Sequence, residues 1–217
     1  MNVSDGITII NNHGFEDTDG TQKMAVINDT IWEIDGSEPW PYLLKSATLN
    51  FDGTNPYPSN LPTDFAKVKW LTDLTTGATV WPERIETVRA RYGSDINQAG
   101  DPQVCYFLGN QLRLWPVPPN STGRFLLDYR AWQTVLTDQS VASDILMPVR
   151  YHMLWVIGAL VRLYAMDDDP ELSAVKKQEF DMRLAKMRMD LFVQQEMRAD
   201  RIYPLDTDEI DWPFWLP

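Results

Sequence analysis

Apolar positions fall into three regimes along the chain. From Ser4 to about Asp35 they recur at helical spacing, and the pattern predicts two helices within residues 4–36. Ile7, Ile9 and Ile10 supply the contacts of the first helix, which Ser4 or Asp5 can cap and Gly14 ends. Thr18 and Asp19 offer the next cap, and Met24, Ile27, Ile31 and Ile34 then form one amphipathic stripe. Gly36 stands where a helix-terminating glycine is expected, and two prolines in Glu38-Pro39-Trp40-Pro41-Tyr42 bar any continuation.

Between about residues 45 and 133 the period shortens. Phe65, Val68 and Trp70 begin a strand-like run, Asp73 to Gly77 turns it, and Ala78-Thr79-Val80-Trp81 returns. Pro82 to Tyr92 reads as a short helix, with Pro82 in its first turn and Gly93 past its end. Val104 to Leu108 and Leu112 to Trp115 flank Gly109-Asn110, a hairpin signal, and Arg124 to Tyr129 adds a third strand. The middle is thus a small, mostly antiparallel β region.

The last third is helical again. Met147-Pro148 opens a helix to Met166 that is apolar nearly all round, as in a helix buried on most sides. Asp169 caps the next helix, Pro170 takes its first position, and Leu172, Val175, Phe180, Leu184, Met187 and Leu191 give it one apolar face as far as about residue 200. The short link between these helices implies antiparallel packing. The expected fold class is α+β: a helical bundle built from both chain ends, a small inserted antiparallel β region, and an extended C-terminal tail. Residues 1–201 form one domain in this reading, and residues 202–217 form the tail.

Composition narrows the function. The 217 residues carry a net charge of −12, which argues against a protein that wraps nucleic acid through a basic surface. Nine tryptophans point to large packed faces or interfaces; Trp32, Trp40, Trp70, Trp81, Trp115, Trp132 and Trp155 fall in or beside expected elements, where core packing accounts for most of them. The single cysteine, Cys105, excludes an internal disulfide and a Cys-based zinc site, and two histidines, His13 and His152, argue against a multi-His metal site. The start of the chain has no signal-peptide pattern, and the longest apolar run, Tyr151 to Val161, is short of the ~20 residues a membrane span needs. A soluble protein made in a reducing cytoplasm is expected.

Catalytic signatures are missing: there is no phosphate-binding glycine loop, no GxSxG elbow and no HExxH. Cys105 reads as a buried small hydrophobe and His152 as a hydrogen-bonded structural histidine. Asp167-Asp168-Asp169 offers carboxylates to a divalent cation, but consecutive carboxylates converge poorly and one serves as a cap. Basic residues cluster at Arg84, Arg89 and Arg91 and at Lys176, Lys177, Arg183, Lys186 and Arg188, which read as solvated, salt-bridged faces. No enzyme activity, cofactor or metal is expected. The tail is the most informative segment. Trp212, Phe214 and Trp215 around Pro213 would expose a sizeable apolar patch in water, so the tail either folds back on its own domain or docks on a partner. Its aromatic and proline content favours a partner, with Tyr203, Ile210, Trp212, Phe214, Trp215 and Leu216 as the binding residues.

The order of several short motifs resembles the head-to-tail adaptor (head-completion, or connector) proteins of tailed bacteriophages. These motifs are Ile27-Asn28-Asp29-Thr30-Ile31-Trp32 with Trp40-Pro41-Tyr42-Leu43, Leu61-Pro62-Thr63-Asp64-Phe65, Gly100-Asp101-Pro102-Gln103 with Tyr106, and Asn110-Gln111-Leu112-Arg113-Leu114-Trp115-Pro116-Val117-Pro118. Leu127-Asp128-Tyr129-Arg130, Leu136-Thr137-Asp138 and Met147-Pro148-Val149-Arg150-Tyr151-His152 follow, then the acidic corner at Asp167. The acidic, Trp-rich tail after Tyr203 departs from the family pattern. The resemblance implies a virion structural protein at the head–tail connector, made in the host cytoplasm. It would form a homo-oligomeric ring, expected to be dodecameric, on the portal protein. It would extend the channel, let DNA pass without specific binding, and receive the next tail or connector protein. A gatekeeper or tail terminator, and a small phage hydrolase or nuclease, are the competing readings.

Overall fold

The computed structural model describes residues 1–93, 98–109 and 111–199, with residues 193–199 described by backbone alone. The class is α+β, with helices beside two small three-stranded sheets.

Helix α1 spans Val3–Ile10. Its cap is Asn2, not Ser4 or Asp5; Asp5 lies inside the first turn, where its carboxylate accepts the Asn2 backbone N–H at 2.9 Å. A π-turn over Asn11–Phe15 extends the helix, and Gly14 closes it at φ 96°, a conformation that suits a residue without Cβ. Helix α2 spans Gly20–Ser37, and the Asp19 carboxylate accepts the Gln22 N–H at 3.3 Å. Gly36 lies inside its last turn rather than beyond it. The helix stops because Glu38 precedes Pro39 and is extended there.

At the other end of the chain, a 3-10 turn at Val149–Tyr151 follows Pro148, and helix α4 then begins at Met153 and ends at Met166, later than the Met147-Pro148 start expected. Helix α5 spans Pro170–Ala199. Asp169 caps it, accepting the Leu172 N–H at 3.0 Å. The pair is antiparallel: the Ser173 hydroxyl donates to the Val161 carbonyl at 3.0 Å near the corner, and the Tyr151 hydroxyl donates to Asp190 at 3.1 Å at the far end.

These four helices line one apolar core, with Ile10, Ile27, Ile31, Ile34, Trp155 and Met187 at its centre. Two glycines set the helix spacing. A Cβ on Gly6 would fall 2.0 Å from the Trp155 ring, and one on Gly158 would fall 2.4 Å from Thr30. α1 and α2 thus approach α4 through notches that no larger residue leaves open.

Strands β1 (Leu44–Phe51), β6 (Ser121–Ala131) and β2 (Phe65–Asp73) form one antiparallel sheet in the order β1-β6-β2. β1 carries Ala47, Leu49 and Phe51 on its inner side and an exposed Leu44 at its start among polar neighbours, a weak alternation that hides it in the sequence. Strands β3 (Trp81–Pro82), β4 (Val104–Leu108) and β5 (Gln111–Trp115) form the second sheet, where β4 and β5 are the expected hairpin. Ala78 to Val80 makes the expected return, but a short one: the Asp73 N–H donates to the Ala78 carbonyl at 2.9 Å and the Val80 N–H to the Leu71 carbonyl at 2.8 Å around one bridge, Thr72 to Thr79, and the chain then crosses to pair β3 in parallel with β4. Pro82 therefore belongs to a strand, and helix α3 starts only at Ile85 and ends at Tyr92. Leu49, Phe51, Leu71, Phe125, Leu127 and Cys105 lie in a second core between the sheets.

Arg130 joins the two cores. From the central strand β6 its guanidinium donates to the carbonyls of Asp35 and, at 3.0 Å, of Glu38 at the end of α2. A cation there complements the carbonyl-rich helix C-terminus. Arg188 of α5 pairs with the Glu38 carboxylate at 2.6 Å, so α5 meets the same joint.

Candidate interaction surfaces

The groups with chemical potential are occupied structurally. Cys105 is fully buried, its Sγ is 3.9 Å from the Val80 carbonyl, and burial pushes the thiol up to about 12, far from a reactive thiolate. His152 is buried with Nδ1 3.0 Å from the Met1 carbonyl and Nε2 2.8 Å from the Met147 carbonyl, which ties the chain start to the entry of α4. His13 lies apart from it, 3.2 Å from the Tyr164 hydroxyl. Of the three consecutive aspartates, Asp169 caps α5 and Asp168 turns the corner at φ 55°. Among the described residues no group of three or more His, Cys, Asp or Glu is placed to hold a metal ion.

The basic clusters are largely paired. Arg183 and Lys176 both reach Glu179, at 3.0 and 3.4 Å, Lys177 reaches Asp181 at 3.2 Å, and Arg91 reaches Glu83 at 2.6 Å. In the β region Arg124 donates to Asp73 at 2.6 and 3.0 Å, which holds that carboxyl down at about 2. Asp35 is the opposite case. Burial raises its carboxyl to about 6, although the Tyr42 hydroxyl donates to it at 2.7 Å and Arg130 lies close.

The tryptophans correct the sequence reading. Trp40 and Trp155 are fully buried and Trp115 nearly so, but Trp32, Trp70, Trp81 and Trp132 are 38 to 57% exposed. Trp70 and Trp81 meet edge to face at 6.0 Å on the surface of the β region, with Leu74 also exposed. Strand alternation places Trp70 on the same face as buried Val68. A register shift between those two residues, where β2 pairs with β6, turns Trp70 out instead. That irregularity has no signal in the sequence, although the exposed Lys67 and Lys69 beside Trp70 mark a polar edge.

Helix α5 also differs from expectation. Phe180 and Met187 are buried, but Leu172 and Val175 are 43 and 60% exposed. With Met182 and Met189 they form a second apolar stripe on the opposite face, at a spacing near 3.5 residues per turn. Two groups of exposed apolar residues therefore stand out: the tryptophan pair of the β region and this stripe, which Glu179 and Lys186 interrupt. Tyr203, Ile210, Trp212, Phe214, Trp215 and Leu216, the expected binding residues, lie outside the described residues.

No described helix is long and apolar enough to cross a membrane. Residues 8–207 match the model of a family described as SU10 adaptor protein. No curated protein matches the chain.

Proposed function

This chain belongs to the SU10 adaptor protein family, in agreement with the phage head-to-tail adaptor resemblance of its motifs, and from that premise we propose that it is a head-to-tail adaptor of a tailed-phage virion. The family match over nearly the whole chain carries the reading. In it, residues 1–201 form one adaptor domain, a bundle of helices from both chain ends that holds the β region as an insertion. Subunits assemble as a ring, dodecameric by analogy, on the portal protein. They extend the DNA channel and offer a platform to the next tail or connector protein.

A closed ring repeats one heterologous contact around its axis, so each subunit needs two different adhesive faces. The Trp70–Trp81 surface and the outer stripe of α5 supply two such faces on different parts of the molecule. The charge of −12 per chain suits a channel that DNA traverses, because an acidic wall repels phosphate and prevents adhesion. The tail, residues 202–217, docks on the portal or on a neighbouring subunit through Tyr203, Ile210, Trp212, Phe214, Trp215 and Leu216.

The test is reconstitution with the portal of the same virion, imaged by cryo-electron microscopy. A ring of this chain seated on the portal is expected. A chain that binds only tail-tube protein would refute the adaptor reading. Deleting Asp211 to Pro217 is expected to leave a folded chain that no longer binds portal; full binding by the truncated chain would remove the tail from the mechanism.

A further inference from the structure

A groove of about 190 Å³ opens where the 3-10 turn before α4 passes over α5. Met153 and Leu154 line it on one side, and Arg150, Arg183 and Lys186 contribute three cations. Arg183 is already paired with Glu179, but Arg150 and Lys186 have no carboxylate partner among the described residues. Arg150 instead lies over the Tyr151 ring, 4.6 Å from its centre. Asp190 also borders the groove, and it accepts the Tyr151 hydroxyl. The groove thus joins an apolar side to an incompletely neutralised cationic rim, the chemistry that receives an acidic peptide with aromatic side chains.

We propose that in the unassembled chain this groove holds the chain's own tail, with Asp206, Asp208, Glu209 and Asp211 toward Arg150 and Lys186 and one aromatic ring from Trp212 to Trp215 over Met153. Two observations single out this occupant. The first is complementarity: the tail combines acid and aromatic residues as the groove combines cation and apolar surface. The second is reach. Arg183 to Asp190 lie roughly 14 to 24 Å back along α5 from its end at Ala199. Residues 200–211 span up to about 40 Å when extended, enough to return that far. So short a tether gives an effective concentration in the millimolar range, which outcompetes the tail of another copy in dilute solution. The inference rests on the reading of the tail as a docking segment. It adds that the free chain keeps that segment covered until a partner displaces it.

The test places a benzoylphenylalanine photo-crosslinker at Trp212 in the full chain and irradiates a dilute mixture of isotope-labelled and unlabelled protein. Crosslinks within one chain, to residues 149–154 and 183–190, are expected. Crosslinks between chains, to other surfaces, or none at all would overturn the proposal. Charge reversal by Arg150→Glu with Lys186→Glu is expected to lower the groove crosslink about fivefold or more, and Asp208→Lys with Asp211→Lys to restore it. An unchanged yield after reversal would also overturn it. Both cations are exposed, and circular dichroism of each variant verifies the fold. Portal binding, measured separately on the full chain, tests the docking role of the tail, so the two ideas fail by different results.

Discussion

Two pairs of tryptophans, one in the helical core and one in the β region, use the same residue type in opposite ways. In the helices Trp40 and Trp155 are fully enclosed, and Trp155 fills the notch left by Gly6. In the β region Trp70 and Trp81 face solvent and touch each other instead of a core. The contrast shows that an excess of tryptophan carries two meanings in one chain. Where neighbouring elements leave a notch, the ring is a packing element. Where a register shift turns it outward, the same ring lies at the surface.

The largest effect that would break this comparison lies in the helices. Trp155→Ala is expected to cost about 3–5 kcal/mol in urea unfolding, since it empties the centre of the larger core. A loss below about 1 kcal/mol would show that the helices do not depend on that ring. Next is Arg124→Ala, which leaves Asp73 nearly buried without its cation and is expected to cost about 3 kcal/mol. The wild-type contribution also has a pH signature. The Asp73 carboxyl is held at about 2 chiefly by its bonds from Arg124, so its stabilisation is present above its ordinary 3.8 and is lost as pH falls toward 2.

Asp35 sharpens the comparison because its sign is opposite. Burial raises its carboxyl to about 6, so its unfavourable contribution is absent below 3.8 and complete above about 6. Asp35→Asn is expected to raise stability at pH 7 by on the order of 1–3 kcal/mol, with no gain at pH 4, in melts recorded at the two pH values. A gain that is equal at both would contradict the burial argument. The smallest effect on stability belongs to Trp81→Ala. It removes one exposed ring and one edge-to-face contact, about 1 kcal/mol, yet is expected to impair ring assembly in sedimentation experiments. Unimpaired assembly would take the tryptophan surface out of the subunit contact.

Much of the local structure was legible. Asp19 before the Met24–Ile34 stripe, and Asp169-Pro170 before the last helix, marked helix starts that the backbone follows, because a cap and a periodic stripe act within a few residues. The Gly109-Asn110 signal marked the β4–β5 hairpin for the same reason. Strand β1 was not legible, because its polar outer positions dilute a short alternation. Pro82 misled, because the same residue suits a first helical turn and an edge strand. Of the candidate sites, the motif order pointed to the family, and the tail residues lie outside the described residues. The groove at Arg150 and Lys186 was not legible, since those two residues come from different helical segments far apart in the chain.

Helix positions, turn positions, the acidic balance and the absence of familiar catalytic motifs followed from the order of residues, because each depends on neighbours in the chain or on composition. Which tryptophans are buried, which face of α5 stays open, and where Asp35 and Asp73 find their different surroundings were decided only by packing. Those outcomes depend on a register shift, on two glycine notches and on arginines brought from distant strands. Such contacts exist only after the elements have met.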